Sequence, residues 1–256
     1  MTSSEYPDYV AQNVAVWTKA NAEHTGPNAP KAWAQDEITW GVFEIPERDL
    51  NALGDVSGLD VVDLGCGTGY FSAWLAKRGA RPVGVDPTPA QLATAREMQR
   101  EFHLEFPLVE AVAERVPLPD AAFDLAVSEY GASIWADPRG WIPEAARLLR
   151  PDGRLVFLRN STISMLCMDL DGVTEQLQRA QGDLRKLEWP DTKELEFHTP
   201  PGELVDVLRE NGFEVERLIE LYAPETATTH EYYGYVSPEW ARKWPAEEIW
   251  SARKRA

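Results

Sequence analysis

The sequence predicts an α/β fold, with a doubly wound, mostly parallel seven-stranded sheet and helices on both faces. Three observations carry that expectation. Five short apolar runs between residues 59 and 158 are separated by segments of helical periodicity, the arrangement that parallel strands require. Two further strand-like runs follow after residue 212. The chain has 256 residues, 44% of them hydrophobic, enough for one large core carrying a cap.

Residues 1–55 are polar and aromatic, with Trp17, Trp33 and Trp40, and are expected to form an N-terminal cap on a main domain spanning 56–256. A helix is expected around Tyr9–Ala22, broken by Gly26-Pro27-Asn28-Ala29-Pro30. Asp60–Leu64 is an apolar run ending at glycine, a buried strand. Tyr70–Arg78 puts Phe71, Trp74 and Leu75 on one helical face, and Gly79 closes that helix. Pro82–Val85 is the second strand. Thr88 suits an N-cap, Pro89 the first helical position, and Gln91 completes a capping box. That helix runs to about Phe102, with Leu92, Ala95 and Met98 or Gln99 inward. Leu108–Ala111 and Phe123–Ser128 are the third and fourth strands. Trp141–Leu149 is a helix, Arg150-Pro151-Asp152-Gly153 a turn, and Leu155–Leu158 the fifth strand. The pattern then loosens, and 159–198 and 222–245 read as insertions after strands five and six. Pro201–Asn211 is a helix stopped by Gly212, Phe213–Leu221 the sixth strand and Glu248–Lys254 the last.

The formal net charge is -17, from 42 acidic and 25 basic residues. Nucleic-acid binding leans on Lys and Arg contacts to phosphate, so no nucleic-acid partner is expected. The acidity serves solubility, or attraction of a cationic substrate. Two cysteines, Cys66 and Cys167, are too few for a disulfide framework and fit a cytoplasmic location. The first residues lack the basic and apolar regions of a secretory signal, and no apolar stretch reaches membrane-spanning length. The histidines and cysteines lack metal-ligand spacing. The assembly is expected to be a monomer or homodimer.

The run Asp63-Leu64-Gly65-Cys66-Gly67-Thr68-Gly69 follows a strand and opens a helix. Glycine at 65, 67 and 69 permits sharp turns and lets a ligand lie against the backbone. Asp86 ends the second strand, where an acidic side chain can accept hydrogen bonds from both ribose hydroxyls of an adenosine. The dinucleotide fingerprint is G-x-G-x-x-G. Here the spacing is G-x-G-x-G, and a carboxylate precedes the first glycine. A carboxylate there suits an ammonium better than a pyrophosphate, which favours S-adenosylmethionine (SAM) over NAD.

With these residues in place, the chain resembles the Rossmann-like class I SAM-dependent methyltransferases, in the branch of ubiquinone/menaquinone-type and small-molecule enzymes. The resemblance rests on Asp63–Gly69, on Gly84-Val85-Asp86, on Ala113-Glu114 before Val116-Pro117-Leu118, on Phe123–Glu129, and on Leu148–Leu155. It covers about residues 58–160. It implies that Gly65 and Gly67 bring backbone close to the methionine part of SAM and that Asp86 holds the ribose. Pro87 and Gln91 would lie near the adenine, and Ala113 and Glu114 would border it. Glu129 and Tyr130 would face the methionine moiety and the substrate. Trp40 stands in a segment that often packs over the cofactor in this family. Gln91 replaces the apolar residue common there.

Methyl transfer is an in-line displacement that depends on holding nucleophile, methyl and sulfur in a line. A general base is needed only when the nucleophile must lose a proton. His24, His198, His230, Glu129 and Tyr130 are candidates, and none is singled out. Ser128-Glu129-Tyr130-Gly131 departs from the Asn/Asp-Pro-Pro-aromatic pattern of base and glutamine methylation. Ten tryptophans are present. Trp17, Trp33, Trp40, Trp135, Trp189, Trp240 and Trp244 fall in the cap, insertion or loop regions, where they pin irregular segments or line an aromatic pocket. The expected function is methyl transfer to a small-molecule acceptor at O, N or C. The alternatives are a SAM-binding regulator and an NAD-dependent oxidoreductase.

Overall fold

The computed structural model of the chain describes residues 7–230 and 233–255. Met1–Tyr6, which carry much of the expectation about a secretory signal, lie outside the described residues. At the centre is a seven-stranded sheet. Five strands run parallel: β1 (Asp60–Leu64), β2 (Arg81–Asp86), β3 (Leu108–Glu110), β4 (Phe123–Glu129) and β5 (Leu149–Asn160). The chain then makes β6 (Phe213–Leu221) and β7 (Glu247–Lys254), and β7 inserts antiparallel between β5 and β6. The order is β6-β7-β5-β4-β1-β2-β3. It reverses between β1 and β4, which leaves a crevice beyond the strand C-terminal ends.

The longer helices are α1 (Asp8–Ala20), α2 (Gly26–Ala34), α3 (Tyr70–Lys77), α4 (Pro89–Phe102), α5 (Pro138–Leu148) and α6 (Pro201–Glu210). Both faces of the sheet are covered. On one, Trp141, Ile142 and Leu148 of α5 and Leu204, Val207 and Leu208 of α6 pack on Val62, Leu64, Ala126, Phe157 and Trp250. On the other, Phe71, Trp74 and Leu75 of α3 meet Val61, Leu125, Val127, Val156 and Ile249. Val61 and Val62 therefore point opposite ways and are both fully buried, which is why β1 reads as an unbroken apolar run.

Three local expectations need correction. Gly26–Pro30 does not end helical structure. A π-helical turn, Asn21–Thr25, carries α1 directly into α2. Pro27 sits in the first turn of α2, where its missing N–H costs little, and the Asn28 side chain donates to His24 O at 2.8 Å. The capping box at α4 does not form. Thr88 N–H donates to Asp86 Oδ1 at 2.8 Å, while Gln91 Oε1 accepts from Asn21 and Thr25. Arg150–Gly153 bulges within β5, because Leu149 pairs with Phe123 and Arg154 already with Leu125; Asp152 takes φ of +63° there.

Candidate active site

A cavity of about 980 Å³ opens at the C-terminal ends of β1, β2 and β4. That is the upper end of the range for small-molecule sites. Its floor is the glycine loop. Gly65 N–H and Cys66 N–H both donate to Val85 O, at 2.8 and 2.9 Å, which folds the loop back over β2. Gly65 has φ of +82°, and a Cβ there would lie 2.5 Å from Gly131 Cα. Only glycine permits this contact between the loops after β1 and β4. A Cβ on Gly67 would meet nothing nearer than Gln91 Oε1 at 3.9 Å, so the missing side chain leaves room above the backbone. Trp33 is wholly buried against Phe102 and Phe106, and its Nε1–H donates to Thr68 O at 2.9 Å, tying α2 to this loop.

Asp86 is buried and accepts from Gly67 N–H through Oδ2 and from Thr88 N–H through Oδ1. Each oxygen keeps a lone pair for a vicinal diol. Burial raises its pKa, against the backbone hydrogen bonds that lower it. Pro87, Gln91, Ala113 and Glu114 line the same end of the cavity. Glu114 accepts from the Tyr9 hydroxyl, which itself accepts from Asp137 N–H at 3.1 Å. Burial pushes Glu114 up to about 7.

Asp63 and Glu129 also face the cavity. Asp63 accepts from Ser72 Oγ at 2.7 Å, and burial pushes it up to about 7. Glu129 accepts from the Tyr70 hydroxyl, and burial pushes it likewise to about 7. Two buried carboxylates this poorly solvated favour a cationic ligand, which would repay their desolvation. Tyr130 follows at φ of +56°, a conformation that costs a bulky residue of order 1 kcal/mol. The Gly65–Gly131 contact beside it holds the backbone there. The Tyr130 hydroxyl is buried without a hydrogen-bond partner among the described residues.

Segments from outside the sheet roof the cavity. Tyr9, Asn13 and Trp17 of α1 line it, with Trp135, Trp189, Glu194, Glu196, Tyr233 and Tyr235. The hairpin Leu187–Glu188/Leu195–Glu196 is joined to α1 by Asn13, whose amide accepts from Leu195 N–H at 2.8 Å and donates to Leu195 O at 2.9 Å. Of the candidate residues, Trp40 is not among those lining the cavity. It is wholly buried against Phe71 and donates to Glu47 Oε2 at 2.7 Å, so it belongs to the core beneath α3. His24 and His230 line the cavity, whereas His198 is buried behind it with Nε2 on Glu196 Oε2 at 2.7 Å. Trp240 and Trp244 pack together away from the cavity. Sequence reasoning missed Tyr9, Tyr70, Glu194 and Glu196. The last two lie in an irregular insertion, where no period marks an inward face.

Among the described residues no helix is long and apolar enough to cross a membrane, and no group of three or more His, Cys, Asp or Glu is placed to hold a metal ion.

Residues 62–157 match the protein family described as "Methyltransferase domain". Over 114 residues the chain is 35% identical to a malonyl-[acyl-carrier protein] O-methyltransferase of Serratia marcescens, covering 44% of this chain and 43% of that protein. Over 100 residues it is 40% identical to a demethylmenaquinone methyltransferase of Thermus thermophilus, covering 38% and 46%. The chain thus spans less than half the length of these curated relatives. Its fold is similar to a SAM-dependent methyltransferase of Mesorhizobium loti, at 26% identity and a TM-score of 0.64, over 80% of this chain and 95% of that one. The chain thus carries a segment similar to a methyltransferase domain, within a sheet shared with a SAM-dependent methyltransferase.

Proposed function

We propose that this chain transfers a methyl group from SAM to a small-molecule acceptor held under the roof of the cavity. One observation carries the reading: a single cavity joins a glycine-floored end with buried carboxylates to an aromatic end built from other segments. The residues present fit SAM. Gly67 leaves an open cradle, Asp86 has acceptor capacity for a ribose, and Asp63 and Glu129 suit a cation. Pro87, Gln91, Ala113 and Glu114 would border the adenine. Trp40 is withdrawn from the binding set.

When bound, SAM supplies a methyl group activated by its sulfonium. The protein's work is then to orient and to exclude water. Glu129, pushed to about 7, can take a proton from an acceptor at neutral pH. Residues 1–55 serve as a cap over the domain of 56–256, and the insertions 159–198 and 222–245 shape the acceptor end.

Calorimetric titration with S-adenosylhomocysteine (SAH) tests the cofactor reading, with a dissociation constant on the order of micromolar expected. Labelled SAM incubated with a cell extract tests transfer. Absence of SAH binding overturns the proposal. Binding without any labelled small molecule would favour a regulator.

A further inference from the structure

Resting on the methyltransferase reading, we propose that the acceptor is an amine on an aromatic or apolar frame, bound as its cation between tryptophan rings and the carboxylates of Glu194 and Glu196. The walls at that end are Trp17, Trp135 and Trp189. Trp17 and Trp135 meet edge to face at 5.0 Å, and both line the cavity. Glu194 and Glu196 flank it on the roof hairpin. They lie outside residues 62–157, so they are additions of this chain to the matched domain.

Charge decides the class of ligand. Glu196 is buried, with Oε2 on His198 Nε2 at 2.7 Å, and Glu194 lies within its field. The guanidinium of Arg179 is spent on Met165 O and Met168 O, at 2.8 and 2.7 Å, and on the Trp189 ring. The basic residues lining the cavity are His24, Lys31 and His230. His24 and Lys31 belong to the π turn and α2, where Asn21 and Thr25 bond Gln91, and His230 packs on Tyr233 in the 222–245 segment. A carboxylate or phosphate ligand would meet the like charge of Glu194 and Glu196 at the hairpin, although His198 and Arg179 face Glu196, whereas an ammonium meets carboxylates and aromatic faces.

The transfer balances. The ammonium gives one proton to Glu129, and the freed nitrogen lone pair forms the N–C bond to the methyl group. The C–S bond breaks with its electron pair left on sulfur, and the product leaves as a methylated ammonium. Burial already pushes Glu129 and Glu194 up to about 7, so both are proton-accepting near neutrality.

The test uses three probes on one frame, tryptamine, tryptophol and indole-3-propionate, titrated calorimetrically into the full chain saturated with SAH. Tryptamine is expected to bind at least about tenfold more tightly than the other two. Glu194→Gln and Glu196→Gln are each expected to erode that preference while SAH affinity, which also reports folding, is unchanged. Equal binding, preference for the alcohol or the acid, no binding of any probe, or a preference that survives both variants overturns the proposal and leaves the methyltransferase reading standing. Failure of SAH itself to bind removes both.

Discussion

At the glycine-floored end, backbone is positioned by backbone. Gly65 and Cys66 donate to Val85 O, Gly65 packs on Gly131, and Gly67 N–H is fixed by Asp86. At the roofed end, the surfaces are side chains brought from α1, the 159–198 insertion and the 222–245 segment. The first end is fixed at Gly65, where a Cβ would collide with main chain. The second is built from rings and carboxylates on segments that can vary without disturbing the sheet.

The comparison can be broken at its strongest point first. Gly65→Val should destabilise the fold by roughly 3 kcal/mol or more and abolish SAH binding, read by urea unfolding and calorimetry. Near-normal stability would show that the β1 and β4 loops can part. Asp86→Ala leaves the Gly67 and Thr88 N–H groups without their acceptor and removes the acceptor for the ribose. SAH affinity should fall about 100-fold, and a loss below about threefold would remove Asp86 from the site. At the roof, Trp17→Ala should raise the KM of the acceptor about tenfold with SAH affinity unchanged. A parallel loss of SAH affinity would mean the two ends are not separable.

Acidity probes the glycine-floored end. Asp63 and Glu129 stand near 7 through burial, above their unfolded values. Such acids stabilise the ligand-free fold below their unfolded pKa, and that contribution is lost as pH rises through about 7. A bound cation favours their ionised form, so SAM affinity should rise from pH 6 to pH 8, by up to about tenfold per unit for one coupled proton. A flat profile would show that these carboxylates do not meet the sulfonium or the ammonium. The smallest effect belongs to Trp40→Phe, which removes the Glu47 hydrogen bond. It should cost about 1 kcal/mol of stability and leave SAH affinity untouched.

Much of the sheet was legible because its strands are buried on both faces and punctuated by glycine and proline. Phe213–Leu221 has the bounds its pattern gives, and Gly79 and Gly212 stop helices with φ of +84° and +80°. The cofactor candidates could be named because they stand at fixed places relative to those strands, and all of them but Trp40 line the cavity. Trp40 was misplaced because burial in a core and burial over a ligand leave the same mark on a sequence. Gln91 was misassigned because its partners, Asn21 and Thr25, lie about seventy positions away, and a capping box is a purely local rule. Glu194 and Glu196 carried no signal, since their inward direction is set by the hairpin's attachment to α1 and not by neighbours in the chain.

That attachment has a bearing on assembly. A hairpin with two residues per strand is too small to persist by itself. Asn13 supplies it with the equivalent of one more rung, from 182 positions away. Closing so long a loop delays the hairpin until α1 has docked. A chain trimmed of α1 is therefore expected to keep a folded sheet and lose the hairpin's place over the cavity, so the N-terminal helix works as the template on which the roof is cast.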